Sequence, residues 1–385
     1  MNEIKTKSAN ILCVGNSWFP HMSGGLNRYV YELIHNLADN GDRIQLCGID
    51  LPENYPNPSI SFVNLASPNS SLLKRLRSTR SNFLNSEIVT PDAINLHFAL
   101  YSFPIISSLP ENIPITFTFH GPWAFEGEKE GNNKLSVYFK QWLEQRVYNK
   151  CDRFIVLSKA FGKILQQNYD ICESKIKVIP GGVDIEKFKP KLSQQQAREK
   201  LNFPIDRPII FTPRRLVRRM GIENLLVALA EVKTTIPDIW LAIAGKGVLR
   251  AELERRSREL NLEKQVKFLG FLPDEDLPIA YQAANLTVIP SKYLEGFGLI
   301  LLESLACGTP VICTPVGGMP EILNDFSPQL IGESTESKAI ANLLKTALKG
   351  EISLPTREAC RNYVINNYNW KEIAERIRKF LLTQG

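Results

Sequence analysis

Short apolar runs alternate along this chain with longer stretches in which apolar residues recur every three or four positions. Residues 10–14 form a run of the first kind, and residues 26–38 form a stretch of the second kind. A short run bounded by turn residues predicts a buried parallel strand, and the longer spacing predicts an amphipathic helix. The alternation therefore predicts an α/β fold in which helices cover both faces of a parallel sheet.

The predicted elements fall into two groups, separated by a polar stretch at residues 187–207. We therefore predict an N-terminal domain at residues 1–185, a C-terminal domain at residues 186–365 and a last segment, residues 366–385, that crosses back to the first domain. Open parallel sheets bind ligands at the carboxyl ends of their strands, so we expect a cleft lined by those ends. The predicted strands are residues 10–14, 44–49, 93–97, 115–119, 153–157 and 177–178, then 209–212, 240–244, 266–268, 286–289 and 310–314.

The composition is that of an ordinary globular protein, with 44% hydrophobic and 22% charged residues among 385. The net charge of +6 suits anionic small molecules or an anionic membrane face, and no arginine-rich tract points to nucleic acid. Seven scattered cysteines without a CxxC pair indicate free thiols in a reducing compartment. No signal peptide and no apolar run of about 20 residues is evident. We expect a cytoplasmic protein, at most peripheral on the inner membrane face.

A basic tract follows the first strands. Residues 72–80 carry four cations among leucines and small polar residues. A solvated helix face is the ordinary explanation of such a tract. The alternative is a basic amphipathic contact with an anionic membrane surface.

The most informative segment is residues 295–303, EGFGLILLE, in which Glu295 and Glu303 bracket a Gly-Phe-Gly turn. The apolar residues after the turn predict a buried helix that stops at Gly308. The free N–H groups at its start make an anion site, and ionised carboxylates accept hydrogen bonds from hydroxyls. Phosphate at the helix end with carboxylates on hydroxyls suits a nucleotide sugar. The alternative is a buried helix with one solvated and one chance glutamate, although a carboxylate among apolar neighbours is costly unless something binds it.

Several motifs together resemble glycosyltransferase family 4, the retaining GT-B enzymes. The resemblance implies two Rossmann-like doubly wound parallel-sheet domains facing across a cleft, and it runs from the first predicted strand to the last helix. The motifs that carry it are the Gly-Gly at 24–25, FHGPW at 119–123, VIPGGVD at 178–184, RRLVRRMGIENLL at 214–226, IAGKG at 243–247, GFLPDEDL at 270–277 and EGFGLILLE with GTPVICTPVGGMPEIL at 308–323.

The resemblance also implies roles for individual residues. His120 matches a histidine near the reacting centre, Arg215 matches the arginine of a diphosphate clamp, and Glu295 matches a ligand of the donor sugar. Glu303 matches the ligand of the nucleotide ribose. The ordinary alternative for His120 is a capping or core histidine. Further donor contacts are implied for a glycine loop, for the backbone at the helix start and for the stretch against the base: Gly24, Gly25, Gly296, Phe297, Gly298, Leu299, Phe271 and Leu272.

One position departs from the family pattern. A lysine is usual five residues after the clamp arginine, and this chain has Met220 there. Arg219, Arg214 and Lys246 are the candidates for the missing cation. The donor is therefore less constrained by the motif than a complete clamp would make it.

Residues 274–276 spell Asp-Glu-Asp, the pattern that other glycosyltransferases use for a metal. Because this DxD directly precedes a predicted helix, Asp274 is predicted as its N-cap. The resemblance implies metal-independent transfer, so we expect no metal site and no cofactor. The nucleoside-diphosphate sugar is then a substrate.

The predicted reaction is transfer of a hexose from that donor to an acceptor hydroxyl with retention, in polysaccharide or glycolipid synthesis. We expect a saccharide or lipid-linked saccharide acceptor, bound by residues 74–80, 97–102 and 120–126, although a small cytosolic acceptor fits as well. A nucleotide-sugar epimerase of the same fold is an alternative. A nicotinamide dehydrogenase would need a GxGxxG after the first strand, and a two-lobed sugar-binding protein would carry an export signal; neither is present.

Overall fold

The computed structural model describes residues 8–131 and 133–383, which form two compact units. The first unit takes in the described residues up to Glu128, those from 133 to Gly181, and those from Trp370 onward. The second consists of Lys129–Gly131 and Gly182–Asn369. Apart from the short segment Lys129–Gly131, the chain leaves the first unit after Gly181, builds the second, and returns at Trp370.

A parallel sheet of seven strands forms the centre of the first unit, in the order β3-β2-β1-β4-β5-β6-β7. The inner strands are mostly buried because both faces are covered by helices, whereas the edge strands β3 and β7 keep exposed positions. The seven strands are β1 Asn10–Ser17, β2 Arg43–Ile49, β3 Ile60–Ala66, β4 Ala93–Leu96, β5 Ile115–Phe119, β6 Arg153–Val156 and β7 Ile176–Val178.

Six α-helices connect these strands. The core between sheet and helices is rich in aromatic side chains, among them the fully buried Phe119, Tyr148 and Phe161. The helices are α1 Gly25–Asp39, α2 Leu72–Asn85, α3 Ala99–Ser102, α4 Trp123–Lys129, α5 Lys134–Tyr148 and α6 Lys159–Tyr169, with short 3₁₀ turns at Ile106–Ser108 and Glu173–Lys175.

The second unit repeats the plan with five parallel strands in the order β10-β9-β8-β11-β12. Its strands are β8 Ile209–Pro213, β9 Trp240–Ala244, β10 Val266–Gly270, β11 Leu286–Ile289 and β12 Val311–Cys313. Its helices are α7 Gln194–Leu201, α8 Ile222–Lys233, α9 Arg250–Glu259, α10 Leu277–Ala283, α11 Leu299–Ala306, α12 Met319–Leu323, α13 Ser337–Leu348 and α14 Arg357–Tyr368, with 3₁₀ turns at Arg218–Met220 and Pro328–Leu330.

Both sheets reverse their strand order beside the first strand of the unit. In the first unit the reversal lies between β1 and β4, and in the second between β8 and β11. Loops leaving such a reversal diverge to opposite faces and open a crevice at the carboxyl ends of the strands. The fold therefore marks the loops after β1, β4, β8 and β11 as the places to look for ligand-binding residues.

The structure confirms the predicted α/β class with two doubly wound parallel sheets. The strand Ile60–Ala66 was not predicted, because an edge strand with both exposed and buried positions lacks a continuous apolar run.

One local prediction, the N-cap of α10, is wrong. Asp276, not Asp274, precedes α10, and it makes no side-chain cap. Asp274 instead forms an ion pair with Lys187.

A last helix, α15 at Trp370–Leu382, packs on α1 and β4 of the first unit. The Trp370 ring lies 5.0 Å from the Tyr29 ring, edge to face. Fully buried Asp42, in the turn before β2, accepts two hydrogen bonds from Arg378 at 2.7 and 2.8 Å and one from the Ala9 N–H. A buried, bidentate ion pair thus fixes the returning helix. Among the described residues, no helix combines the length and apolar character that crossing a membrane requires.

We predict that Asp42→Asn destabilises the first unit by about 1.5–3 kcal/mol, because the half-buried Arg378 loses hydrogen bonds to a charged acceptor. Calorimetric unfolding of the full chain measures this loss. Asp39→Asn, at an exposed position in the last turn of α1, is the matched control. Equal melting temperatures for the two variants would contradict the role of the pair.

Candidate functional site

The buried helix predicted after the Gly-Phe-Gly turn is α11. Gly298 precedes it with a φ of 92°, and the N–H of Leu301 donates to the Gly298 carbonyl. The N–H groups of Leu299 and Ile300, which precede that bond, have no acceptor within the helix, and this makes its start attractive to an anion. The Phe297 side chain is buried against the Tyr368 ring, so only the backbone of this residue is suited to contact a ligand.

Glu295 lies in the loop between β11 and α11, beside the reversal in strand order. Its carboxylate forms an ion pair with Arg214, which follows β8, and accepts a hydrogen bond from the Ser291 hydroxyl at 3.1 Å. Burial by itself would raise the pKa of Glu295. The attraction of Arg214, its hydrogen bond, and weaker contributions from Arg219 and Ser291 hold the pKa below its ordinary value. Glu295 is therefore an ionised acceptor.

The backbone of this loop is clamped from the other side by the Gly-Gly turn after β12. The Gly318 N–H donates to the Glu295 carbonyl at 3.0 Å. Gly317 has a φ of 59°, and a Cβ there would lie 1.7 Å from the same carbonyl oxygen. Only glycine allows this approach. The turn after β12 therefore fixes the position of the backbone that carries the Glu295 carboxylate.

Glu303 lies in the second turn of α11 with 4% of its surface exposed. Its Oε2 accepts a hydrogen bond of 2.8 Å from the Tyr281 hydroxyl on α10. Tyr281 is fully buried, so it can orient the carboxylate without occupying solvent-facing space. The two glutamates predicted as one constellation thus have separate supports, Arg214 for Glu295 and Tyr281 for Glu303.

The predicted cations differ in environment. Arg215 and Arg219 both ion-pair with Glu130 of the same unit, at 3.9 and 3.2 Å. The Arg215 side chain is 56% exposed, whereas that of Arg219 is 7% exposed. Arg219 also donates to the carbonyl of Leu294, which has an unusual positive φ of 51°. Such a backbone needs outside support. The position of the usual lysine, Met220, points into the core with 5% exposure.

Lys246 and Phe271 follow the neighbouring strands β9 and β10. The Lys246 ammonium lies 5.1 Å from the centre of the Phe271 ring, and the ring is 59% exposed. Leu272 beside it is half-buried. This part of the edge offers an open aromatic face with a cation above it. Groups of three or more side chains able to hold a metal ion are absent from the part of the chain that the structure describes.

His120 directly follows β5 in the first unit, and its partner was not predicted as such. His97 directly follows the neighbouring strand β4, and its Nδ1 lies 3.1 Å from His120 Nε2. Tyr29 of α1 packs edge-on against the His120 ring at 4.7 Å. Burial, and for His97 also the neighbouring His120, hold the pKa of each imidazole below its ordinary value. Both rings are therefore neutral at physiological pH.

The pair has a preferred tautomer. His97 Nε2 is buried and has no hydrogen-bond partner among the described side chains and backbone. A proton there would bury an unpaired N–H, whereas a proton on Nδ1 is used in the bond to His120. His120 Nε2 is then the acceptor, and its Nδ1 carries the other proton. His120 is thus a neutral imidazole that can donate a hydrogen bond from Nδ1.

The glycine loop after β1 leads directly into α1. Gly24 precedes the helix with a φ of 153°, and no atom lies within 4 Å of the position that a Cβ would take. Gly25 likewise has open space at that position and begins the helix. The N-terminus of α1 is therefore bare backbone that an anion can approach.

A buried carboxylate that sequence reasoning missed holds the segment after His120. Glu144 of α5 accepts hydrogen bonds from the N–H groups of Trp123 and Ala124 at 2.9 and 3.3 Å, which begin α4. The hydroxyls of Tyr148 and Tyr169 donate to it as well. Burial raises its pKa to about 7 against these four hydrogen bonds. Its position in an amphipathic helix gave no signal, because a single glutamate in such a helix ordinarily lies on the exposed side.

Both units match known protein families. Residues 193–370 match the family described as glycosyl transferases group 1, and residues 23–187 match glycosyltransferase family 4. The D-inositol 3-phosphate glycosyltransferase of Corynebacterium jeikeium is 31% identical over 246 residues, which cover 61% of this chain and 58% of that protein. A GDP-mannose-dependent alpha-(1-6)-phosphatidylinositol monomannoside mannosyltransferase of Mycolicibacterium smegmatis is 31% identical over 215 residues, 53% of this chain and 55% of the relative. The matches thus span little more than half of these relatives.

Solved structures share the fold over nearly the whole chain. The sucrose-phosphate synthase of Thermosynechococcus elongatus superposes with a TM-score of 0.80 at 25% identity, covering 97% of this chain and 98% of the other. HepE of Anabaena in complex with UDP and glucose superposes with a TM-score of 0.75 at 21% identity, covering 97% and 99%. The second likeness shows the fold alone.

We predict that Glu144 makes the first unit less stable as the pH rises. A carboxyl group with a raised pKa keeps its proton in the folded chain where the unfolded chain has released it, so stability is lost between about 4.5 and about 7. At about 1.4 kcal/mol per pKa unit, the loss is at most about 3–4 kcal/mol. Melting temperatures of wild type and Glu144→Gln across this range measure it.

Because glutamine cannot accept all four hydrogen bonds, the variant melts lower at acidic pH, and the difference from wild type narrows as the pH rises. Glu87→Gln, at an exposed position of the same unit, is the control. A difference that stays constant with pH would contradict the raised pKa.

Proposed function

We propose that this chain, which belongs to the group 1 glycosyltransferases of family 4, transfers a hexose from a nucleoside-diphosphate sugar to an acceptor hydroxyl with retention of configuration. The observation that carries the proposal is the pair of separately supported carboxylates around the start of α11. Ionised Glu295 and buried Glu303 offer hydrogen-bond acceptors on either side of a helix N-terminus. Hydroxyl groups flanking a diphosphate have the complementary chemistry.

In this proposal the second unit binds the donor. Glu303, oriented by Tyr281, accepts hydrogen bonds from the ribose, and the first N–H groups of α11 face the diphosphate. Glu295 accepts hydrogen bonds from the transferred sugar. The open face of Phe271, with Leu272, lies along the base.

The positive charge for the departing diphosphate then falls to Arg215 and Lys246. Both side chains are exposed at the carboxyl ends of neighbouring strands. Arg214 and Arg219 are engaged in holding Glu295 and the Leu294 carbonyl. Lys246 is therefore our candidate for the charge that a lysine at position 220 would supply. Cations and helix N–H groups aimed at developing charge stabilise the transition state, which is how transfer proceeds without a metal.

The first unit contributes the acceptor side and His120. As the donor of a hydrogen bond from Nδ1, neutral His120 can bind a sugar hydroxyl without competing for the acceptor's proton. No side chain stands out as a double-displacement nucleophile, so we propose that the acceptor attacks the face from which the diphosphate departs. The leaving phosphate takes the proton of the acceptor hydroxyl. Positioning and electrostatic stabilisation then provide the rate.

A saccharide or lipid-linked saccharide is the proposed acceptor. Two relatives support this class of acceptor. One is an inositol-phosphate glycosyltransferase, and the other is a phosphatidylinositol monomannoside mannosyltransferase. The sucrose-phosphate synthase among the structural relatives keeps a small cytosolic acceptor as the second candidate. A nucleotide-sugar epimerase of the same fold would convert the donor without any acceptor.

We predict that one series among UDP, GDP, ADP and their hexose conjugates raises the melting temperature of the wild type. A ligand at 100 times its Kd adds about 2.7 kcal/mol of stability. Glu303→Gln should weaken binding of that nucleotide about tenfold or more, because a hydrogen bond to a charged acceptor contributes about 1.5–3 kcal/mol. Isothermal titration measures the affinity.

Tyr281→Phe is the matched control, because it removes the hydroxyl that holds Glu303 and leaves the carboxylate in place. It should reduce affinity less than Glu303→Gln does. If both variants bind the nucleotide as tightly as the wild type, Glu303 is a structural glutamate. Turnover of the donor to an epimer without acceptor would replace the transferase by the epimerase.

We also predict that transfer persists in excess EDTA, since cationic side chains provide the counter-charge. Initial rates with and without chelator, measured on the donor that the thermal shift selects, test this. Activity that vanishes with EDTA and returns with Mg²⁺ would assign the charge to a metal and give the carboxylates of residues 274–276 a part in it.

A further inference from the structure

Helix α5 of the first unit has two contrasting sides. One side is buried in the core and includes Leu143, Val147 and the carboxylate Glu144. The other side exposes four large apolar side chains at helical spacing, which together span about 100° of the helix circumference. They are Leu135, exposed to 83%, Tyr138 to 72%, Phe139 to 40% and Trp142 to 39%, and we call them the α5 stripe.

The α5 stripe is a continuous surface. The Phe139 and Trp142 rings stack with their centres 6.1 Å apart. Phe103, which follows α3, packs edge-on against Trp142 at 5.4 Å. Soluble proteins seldom expose so many large apolar side chains in one row without something to cover them.

Cations border the stripe without opposing carboxylates on the same helices. Lys134 and Arg146 are exposed on α5, and the guanidinium of Arg146 lies 5.5 Å from the Trp142 ring. The only carboxylate of α5 is the buried Glu144. The border on this helix is therefore purely basic.

The basic tract found in the sequence lies on α2, and α3 packs against both α2 and α5. Arg75 of α2 donates to the Tyr101 hydroxyl of α3 at 3.2 Å. Helix α2 contains no acidic residue, and it exposes Leu73 to 70%. Its exposed cations are Lys74, Arg77 and Arg80.

We propose that the α5 stripe, with the basic side of α2, docks the first unit on the surface of an anionic lipid bilayer. Aromatic and aliphatic side chains enter the interface between headgroups and acyl chains, and the flanking lysines and arginines bind anionic headgroups. Lasting attachment takes both an apolar and a basic contribution, and this surface has both.

Charge selects the bilayer over a second copy of the chain as the occupant. A symmetric dimer built on the α5 stripe would bring Lys134 and Arg146 of one copy close to the same cations of the other, with no acidic partner on the helix. An anionic bilayer has the opposite charge. Such docking would bring the acceptor side of the enzyme to lipid-linked substrates. Only this benefit rests on the proposed function; the docking itself does not.

The experiment uses the full chain with vesicles of phosphatidylcholine, with and without phosphatidylglycerol, and needs neither donor nor acceptor. Flotation with the vesicles measures binding, and quenching by brominated acyl chains measures depth. Trp142 is the reporter, since Trp18, Trp240 and Trp370 are buried and Trp123 is half-buried. We expect flotation with phosphatidylglycerol vesicles only, and strong quenching of the wild type that is largely lost in Trp142→Phe.

The double variant Tyr138→Ser with Phe139→Ser should lower vesicle affinity by about tenfold or more, because it removes two interfacial rings. Val248→Ser, which removes an apolar side chain 89% exposed in the second unit, is the matched control and should bind as the wild type does. Equal melting temperatures establish that the variants are folded. An unchanged nucleotide affinity of the double variant keeps this test separate from that of the donor site.

Two results would overturn the proposal. In the first, the wild type stays unbound with phosphatidylglycerol vesicles, or the double variant binds them as well as the wild type does. In the second, the wild type sediments as a dimer that the double variant dissociates, in which case a second copy covers the stripe.

Discussion

The ion pair of Arg214 with Glu295 is the interaction on which the candidate site of the second unit depends. It joins the residues that follow β8 and β11, the two strands between which the sheet reverses its order. A carboxylate at this depth keeps its charge only because a guanidinium stands beside it. The ionised Glu295 carboxylate accepts a hydrogen bond from the Ser291 hydroxyl. Its backbone carbonyl accepts a second one from the Gly318 N–H, in the Gly317-Gly318 turn. One charge pair therefore sets the geometry of three loops.

In the first unit, neutral side chains rather than an ion pair lie at the carboxyl ends of the strands. His97 and His120 stand at the ends of adjacent strands, and burial keeps both uncharged. Glu144 then holds the first two N–H groups of α4, so the segment after His120 is tied to the core rather than to solvent. The two units thus use opposite electrostatics at equivalent edges of their sheets. One places an ionised carboxylate, Glu295, at this edge, and the other places the neutral imidazole of His120 there.

Much of the fold could be predicted from the sequence, because each inner strand of a parallel sheet is a short apolar run. Residues 115–119, 240–244 and 286–289 were predicted with the bounds that the structure has. The EGFGLILLE segment likewise located the helix start and its two glutamates. What could not be predicted was partnership between distant residues: Arg214 and Arg215 are adjacent, and nothing local tells which one turns inward to Glu295. The same holds for His97 with His120 and for Tyr281 with Glu303, which the strand order and helix packing bring together.

The return of the chain to its first unit has a consequence for biosynthesis. Asp42 and Tyr29 are translated more than 300 residues before the partners that bury them, Arg378 and Trp370. Between these events a complete second unit is made. During that time the nascent first unit lacks its last helix, and the side of α1 that α15 later covers has no partner from that helix. A chaperone that shields exposed apolar surface would have its longest period of action on that side of α1.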